Sequence, residues 1–489
     1  MPSEASTSSA TTGTIKQGTF VPLAIDGKEI HTDNFFDVLN PKTGELLYQC
    51  SDCGVDSGLA AVDAAASTFE SWMKTTPATR RRIFLNAADI IKKRSSELAE
   101  YISQETGCNQ DWADFNIGRA QDCMLDCAGR VMTIEGIIPV LADPDTEGLI
   151  VKEPYGVILA MAPWNAPYAL GFRSVAFALA AGNTVVFKGS ELSPRTLWAI
   201  WSVFQDAGLP DGVLNFIVCQ PSSAPSTVRA IVDSPAVKKI NFTGSTAVGR
   251  AIAQMAAANT KPILLELGGK APAIVCEDAD LDLAAKHCVL GAFMYAGQIC
   301  MSTERILVAK SIRADFEDKL RQWAEKLFPS KEDAPHLITE RATQKNNDLA
   351  RDAVLKGAKL VHGELDVDYK DVTRGMRPII IGGVQPNMDI YMTESFGPTV
   401  SFIEFDDDEE ALRIANDTEY GLSASVFSRD LRHALRIAKR IETGAVHINR
   451  MTVQDEEALP HGGAKSSGYG RFGGGLEEWL RTKNITYDM

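Results

Sequence analysis

The sequence lacks any apolar run long enough to cross a bilayer. Its richest stretch, 157–187, is broken by Pro163, Asn165, Pro167, Arg173 and Asn183, whereas a spanning helix needs about 20 consecutive apolar residues. Positive charge is also scarce. There are 49 Lys and Arg against 64 Asp and Glu, a net charge of −15. That balance excludes the basic footprint of a nucleic-acid binder or of a polybasic membrane-surface protein. The start, MPSEASTSSATTG, has neither the cationic nor the apolar region of a secretion signal, and its Ser/Thr richness reads as a disordered lead over 1–15. Tandem repeats are absent, and the seven histidines form no H-E-x-x-H.

The nine cysteines form no disulfide-like framework. Cys50 and Cys53 make one C-x-x-C, and Cys123 and Cys127 stand at helical spacing, but the two pairs fall on unlike elements and no second C-x-x-C follows. A four-thiolate zinc site is therefore not expected, and neither is any other metal. Reduced thiols in the cytoplasm are the expected state.

What is present is an alternation of short apolar runs and helix-like stretches. From Gly156 it predicts strands at 156–162, 184–188, 213–218 and 239–242, with helices at 168–181, from Ser193 to Gly208, and at 248–259. A second series predicts strands at 305–310, 400–405, 422–428 and 445–449, with helices at 312–327, from Glu409, and at 433–441. Strand–helix–strand repetition at this interval implies parallel βαβ units in two α/β lobes, divided near 265–270. Before them lie amphipathic helices at 57–75, 79–103 and through Cys123–Cys127, then a two-stranded excursion over 133–153 turning at Asp143–Pro144–Asp145. The cationic groups 80–82 and 92–94 are expected on a solvated helix face.

Four segments carry chemistry. FTGSTAVG at 242–249 follows a strand and opens a helix, whose free N–H groups and dipole suit a phosphate; Gly244 permits the turn and Ser245 can donate. It lacks the G-x-G-x-x-G spacing, so an ordinary strand–turn–helix remains an equal reading. Lys188 ends a parallel strand, where open α/β sheets bind ligands, and Glu191 follows three residues on. The pair can hold ribose hydroxyls or form a solvated ion pair. Glu266 precedes Gly268 and Gly269 at the lobe junction, as a general base or a capped strand end. Cys300, in GQIC at 297–300, lies in a loop between α/β elements. Such a thiol is better placed to react than one on an apolar face.

The order and spacing of these segments, with APWN (162–165), LELGGK (265–270), ESFGP (394–398) and PHGGAKSSGYGR (460–471), resemble the aldehyde dehydrogenase superfamily from about Phe36 to the C-terminus. The resemblance implies an α/β fold with a Rossmann-type dinucleotide-binding domain, an α/β catalytic domain and a β-hairpin oligomerisation arm. The expected division is 16–132 with 154–265, then 266–460, with the arm from 133–153 and 476–489, while 461–475 returns to the active-site region. The strand 483–488 is expected to extend a partner's sheet in a homodimer or homotetramer.

At matched positions the resemblance implies Cys300 as nucleophile, Glu266 as general base and Asn165 in the oxyanion hole. It also implies Trp164, Lys188, Glu191, Gly244, Ser245, Gly268, Glu394 and Phe396 around the dinucleotide, with Glu191 favouring NAD while leaving NADP possible. Segments such as APWNAPYALGFR and GQICMSTERI are similar to salicylaldehyde, vanillin and benzaldehyde dehydrogenases, which implies an aromatic aldehyde as substrate. Tyr168, Phe172, Arg173, Phe293, Tyr295, Ile299, Met301 and His461 then fall near the expected substrate path. Arg173 or His461 is positioned to meet a ring hydroxyl; packing is the alternative for each. His461 departs from the Phe that many family members carry. Rival readings are an aliphatic aldehyde or semialdehyde, a CoA-acylating enzyme, which Glu266 argues against, and a non-catalytic binding protein on the same scaffold.

Overall fold

A computed structural model of the chain describes residues 20–329, 334–365 and 374–488. The lead expected over 1–15 lies outside them. Two large sheets carry the architecture. The first has eight strands in the order Gly468–Tyr469, Ile263–Glu266, Val237–Thr243, Val157–Met161, Thr184–Gly189, Leu214–Val218, Leu23–Ile25 and Lys28–Ile30. Its five central strands run parallel. Val157–Met161, Leu214–Val218 and most of Val237–Thr243 are buried on both faces, as strands of a parallel sheet covered by helices are. From Val157–Met161 the chain winds outward through Thr184–Gly189 to Leu214–Val218. It then returns to the other side through Val237–Thr243 and Ile263–Glu266. The reversal places a topological switch point between Val157–Met161 and Val237–Thr243, where such sheets bind ligands beyond the strands' carboxyl ends.

The second sheet has seven strands, with Thr399–Phe405, Thr303–Ala309, Ala271–Val275, Ser423–Phe427 and Ala445–Ile448 adjacent and parallel. Separate apolar cores fill its two faces. The step from Glu266, ending one sheet, to Ala271, starting the other, takes four residues. The carboxyl edge of the first sheet therefore meets the amino edge of the second.

Three expectations need correction. The helix foreseen over 79–103 is two, Pro77–Lys93 and Ser95–Thr106. Arg94 leaves helical geometry between them and ties Glu97 to Asp206. Arg80 is buried rather than solvated, donating to the carbonyls of Ala180 and Thr75. The excursion at 133–153 is not a regular hairpin. Only the bridge Ile137–Ile150 joins its two limbs. The long strand Thr146–Pro154 pairs antiparallel along its whole length with Leu480–Asp488 of the same chain.

Candidate active site

The loop carrying Cys300 is shaped by left-handed backbone. After the helix Leu281–Phe293, Tyr295 and Ala296 adopt φ of 48° and 54°, and Gly297 adopts 70°. Non-glycine residues held there store strain that clusters at functional sites. At Gly297 only glycine fits, since a Cβ would lie 2.3 Å from the Gly397 carbonyl oxygen. Gly269 explains itself in the same way, because a Cβ would stand 2.2 Å from the carbonyl oxygen of Cys300. A Cβ on Gly268 would meet Glu394 Oε2 at 2.6 Å. The two glycines thus let the strand end carrying Glu266 pass against both Cys300 and Glu394.

Glu266 is 1% exposed, and both its carboxylate oxygens are buried without a hydrogen-bond partner in the protein. It sits beside the Cys300 thiol; burial first, and this carboxylate second, push that thiol well above its ordinary pKa. His461 Nε2 lies 3.7 Å from Glu266 Oε1 and is itself buried and unpartnered. An ionisable cluster with unmet hydrogen-bonding capacity is costly for stability and is found where chemistry needs it.

Asn165 follows Val157–Met161 at the switch point. Its Nδ2 donates to the Gln298 carbonyl at 3.0 Å, and its own carbonyl accepts from Trp112 Nε1 at 3.0 Å. One of the two amide N–H groups is thereby fixed and the other is left for a ligand. Among the described residues no hydrogen-bond acceptor takes the Cys300 backbone N–H.

Cofactor candidates line the same edge. Lys188 is the penultimate residue of the strand Thr184–Gly189, and Glu191 lies just beyond its end. Ser245 is the N-cap of the helix Thr246–Ala258, with its side chain making no cap bond. Gly244 brings the backbone close, since a Cβ there would meet the Phe242 ring at 2.6 Å. Glu394 accepts from the Gly269 N–H at 2.8 Å, and burial, then Glu304, raise its pKa to about 7. Phe396, at φ 48°, packs edge-on to Trp164 with ring centroids 5.9 Å apart. Buried Lys270 and Glu304 pair at 2.6 Å, and Glu304 accepts from the N–H groups of Ser395 and Phe396. A free helix terminus, flanking polar groups and glycine clefts fit a dinucleotide.

The substrate candidates divide. Tyr168 and Phe172 are corrected: both are fully buried, the Tyr168 hydroxyl donates to the Leu98 carbonyl, and Phe172 packs on Phe204. Arg173 is buried in an ion pair with Asp455, and Glu457 is 3.9 Å away. Burial alone would raise the Asp455 pKa, but Arg173 holds it down at about 2. Ile299 and Met301 flank Cys300 and pack into the core of the first sheet. Phe293 and Tyr295 line a cavity of about 780 Å³ with Trp112 and Phe115. There the Trp112 ring stacks on Tyr295 and on Phe115, each at 5.0 Å.

Trp112, Asp455 and Glu457 were not singled out from sequence, nor were Ala166, Ala169 and Leu170. Counted from the N-cap Ala166, residues 169, 170 and 173 follow at i+3, i+4 and i+7, so the last three share a face with Arg173; each keeps 7–9% exposure.

A thiol facing an unpaired carboxylate, beside a dinucleotide-type sheet edge, defines a class of oxidoreductases working through a covalent thiol adduct. The chain belongs to the aldehyde dehydrogenase family, whose pattern matches residues 29–485, and is an oxidoreductase acting on aldehydes. It is 43% identical to a vanillin dehydrogenase of Pseudomonas sp. (strain HR199 / DSM 7063), over 93% of this chain and 94% of that one. Its fold superposes with a TM-score of 0.92 on the crystal structure of a salicylaldehyde dehydrogenase from Pseudomonas putida G7 complexed with salicylaldehyde, at 37% identity, covering 96% of this chain and 98% of that chain. A betaine aldehyde dehydrogenase from Staphylococcus aureus in complex with NAD+ gives 0.90 at 32% identity, covering 96% and 95%. Fold class and family are therefore as the motifs implied, and a nicotinamide cofactor follows from the family.

Proposed function

We propose that the protein oxidises an aromatic aldehyde to its carboxylic acid, with NAD as hydride acceptor, through a thioester on Cys300. The observation that carries the mechanism is the Cys300 thiol set against a Glu266 carboxylate with no other partner. The aromatic class is supported by the named relatives and by the Trp112–Tyr295 stack, whose Trp112 Nε1 also holds the Asn165 carbonyl.

In this reading Glu266 takes the thiol proton and the sulfur adds to the carbonyl carbon. The carbonyl π pair moves to oxygen, which is held by the free Asn165 amide N–H and the Cys300 N–H. Bound nicotinamide supplies the acceptor for the hydride that leaves this carbon, so that the adduct becomes a thioester. Glu266, having passed its proton to solvent, then draws a proton from the water that attacks the thioester. The C–S bond breaks, the acid departs and the thiolate is regenerated. Lys188, Glu191, Trp164, Ser245 and Gly244 would hold the adenosine half, with Gly268, Glu394 and Phe396 around the nicotinamide ribose and ring. A carboxylate at Glu191 accepts from a ribose 2′-hydroxyl and repels a 2′-phosphate, which favours NAD over NADP.

His461 Nε2 is the polar group best placed to receive a ring hydroxyl, because Arg173 is already neutralised by Asp455. The arm made of Thr146–Pro154 and Leu480–Asp488 is read as the contact between copies of the chain. The direct test is intact mass after acid quench of Glu266→Gln mixed with NAD and salicylaldehyde. An acyl adduct on the peptide containing Cys300 is expected, formed more slowly than in wild type because the thiol then loses its proton to solvent, and persisting because the water lacks its base. Turnover without any adduct in this variant, or an adduct on another residue, overturns the reading.

A further inference from the structure

The second sheet carries a different crevice at its opposite end. Gly269 and Cys300 precede the amino ends of Ala271–Val275 and Thr303–Ala309, so the carboxyl ends of these strands lie roughly 20 Å away, at about 3.3 Å per residue. A cavity of about 850 Å³ opens beyond the carboxyl ends of Ala271–Val275, Thr303–Ala309 and Thr399–Phe405. Nothing in the aldehyde chemistry uses it.

Cys276 and His433 line it, and Asp278 stands beside them; each of the three offers a ligand atom within 4.8 Å of the other two, the one such cluster among the described residues. Cys276 follows its strand directly and is buried. Asp278 is held rigidly, with Oδ2 accepting from Ser428 Oγ and from the N–H groups of Arg429 and Asp430 at 2.9–3.0 Å. Its other oxygen, Oδ1, is buried and has no hydrogen-bond partner. His433 stands in the helix Leu431–Ala438, and its Nε2 lies 2.6 Å from Asp408 Oδ2. With Asp408 accepting the Nε2–H, the imidazole lone pair falls on Nδ1; this carboxylate–histidine pairing is the one that orients ligating imidazoles.

We infer that Cys276, Asp278 and His433 bind a zinc-class divalent cation, with Asp408 positioning the imidazole and the cavity supplying water as the fourth ligand. Thiolate, imidazole and carboxylate are zinc's preferred donors, and bond lengths of about 2.0–2.3 Å set donor atoms roughly 3.5 Å apart. Side-chain shifts of about an ångström therefore close the site. Thiolate ligation would release the Cys276 proton to solvent. The surroundings are acidic, with Glu277, Asp406, Asp407 and Glu409 lining the cavity; Lys310 is the opposing charge and is paired with Asp406. The metal would tie the end of Ala271–Val275 to the helix starts at Asp408 and Leu431, well away from Cys300.

The test is metal content of the full-length protein after equilibration with zinc chloride and gel filtration, read by elemental mass spectrometry. One zinc per chain is expected in the wild type and in Cys300→Ala, and none in Cys276→Ser or His433→Gln. Both of those variants keep aldehyde-dependent NADH formation. Asp408→Asn should weaken zinc about 10–100-fold. Cobalt loading should give a thiolate charge-transfer band that Cys276→Ser abolishes and Cys300→Ala retains; this band decides the matter if one variant folds poorly. Absence of zinc from the folded wild type, zinc unchanged in both ligand variants, or zinc lost only with Cys300 overturns the inference.

Discussion

At Cys300 the fold holds a half-buried thiol beside a carboxylate, and desolvation first and that charge second raise its pKa. Both factors disfavour the thiolate, so in cofactor-free enzyme alkylation of Cys300 should stay slow through the ordinary thiol range and accelerate only at higher pH. Glu266→Gln removes the negative neighbour and should move that profile to lower pH. Peptide mapping after iodoacetamide reads Cys300 separately from the other eight cysteines, all of them buried. A profile that does not move would show that the two groups are uncoupled. Asn165→Ala should reduce kcat by roughly 10²–10³, the usual loss for one oxyanion donor, with little change in cofactor affinity by titration. The proposed roles could be read from sequence because the proposed reaction dictates the residue types. A nucleophile, a base and a donor must sit in loops at sheet edges, and the glycines beside them report close backbone contact, as Gly269 does against the Cys300 carbonyl.

The helix Pro167–Ala180 shows what the sequence conveyed less well. Its element type was plain, but which residues of it stay accessible depends on how the helix packs against Gln110–Arg130, which no local pattern states. Tyr168 and Phe172 drew notice as aromatics, yet they are sealed in the core, while Ala166, Ala169 and Leu170, on the face that carries Arg173, keep slight exposure. Phe172→Ala should therefore cost about 3–5 kcal/mol in denaturant unfolding and leave the ranking of aldehydes unchanged. Leu170→Trp should cost less stability, about 1–3 kcal/mol from overpacking, and cut kcat/KM for aryl aldehydes at least tenfold. A reversed pattern would return Phe172 to the substrate path. Asp455 and Glu457 were missed for a related reason. They lie in an irregular segment whose closeness to Arg173 arises only from tertiary folding.

At the scale of the whole molecule, the switch-point edge of one sheet faces the amino edge of the other, and this brings Asn165, Glu266 and Cys300 together from segments spread over 135 positions. Alternating strand and helix patterns made both sheets readable. The arm was harder, because its principal strand pairs with the far C-terminus, a contact of very high sequence separation. Ile137, Ile138, Val140, Ile485 and Tyr487 are exposed along it, an apolar surface that suits a second copy of the chain. Light scattering on the eluted protein should give a mass of at least two chains, and removal of 481–488 should lower it. A monomer mass for the full chain would contradict the assembly.

The most direct measurement is the initial rate of NADH formation with salicylaldehyde, vanillin, benzaldehyde and hexanal, compared as kcat/KM. The account predicts that the aryl aldehydes exceed hexanal by about tenfold or more, a transition-state preference of about 1.4 kcal/mol. Hexanal equalling or exceeding every aryl aldehyde would contradict it.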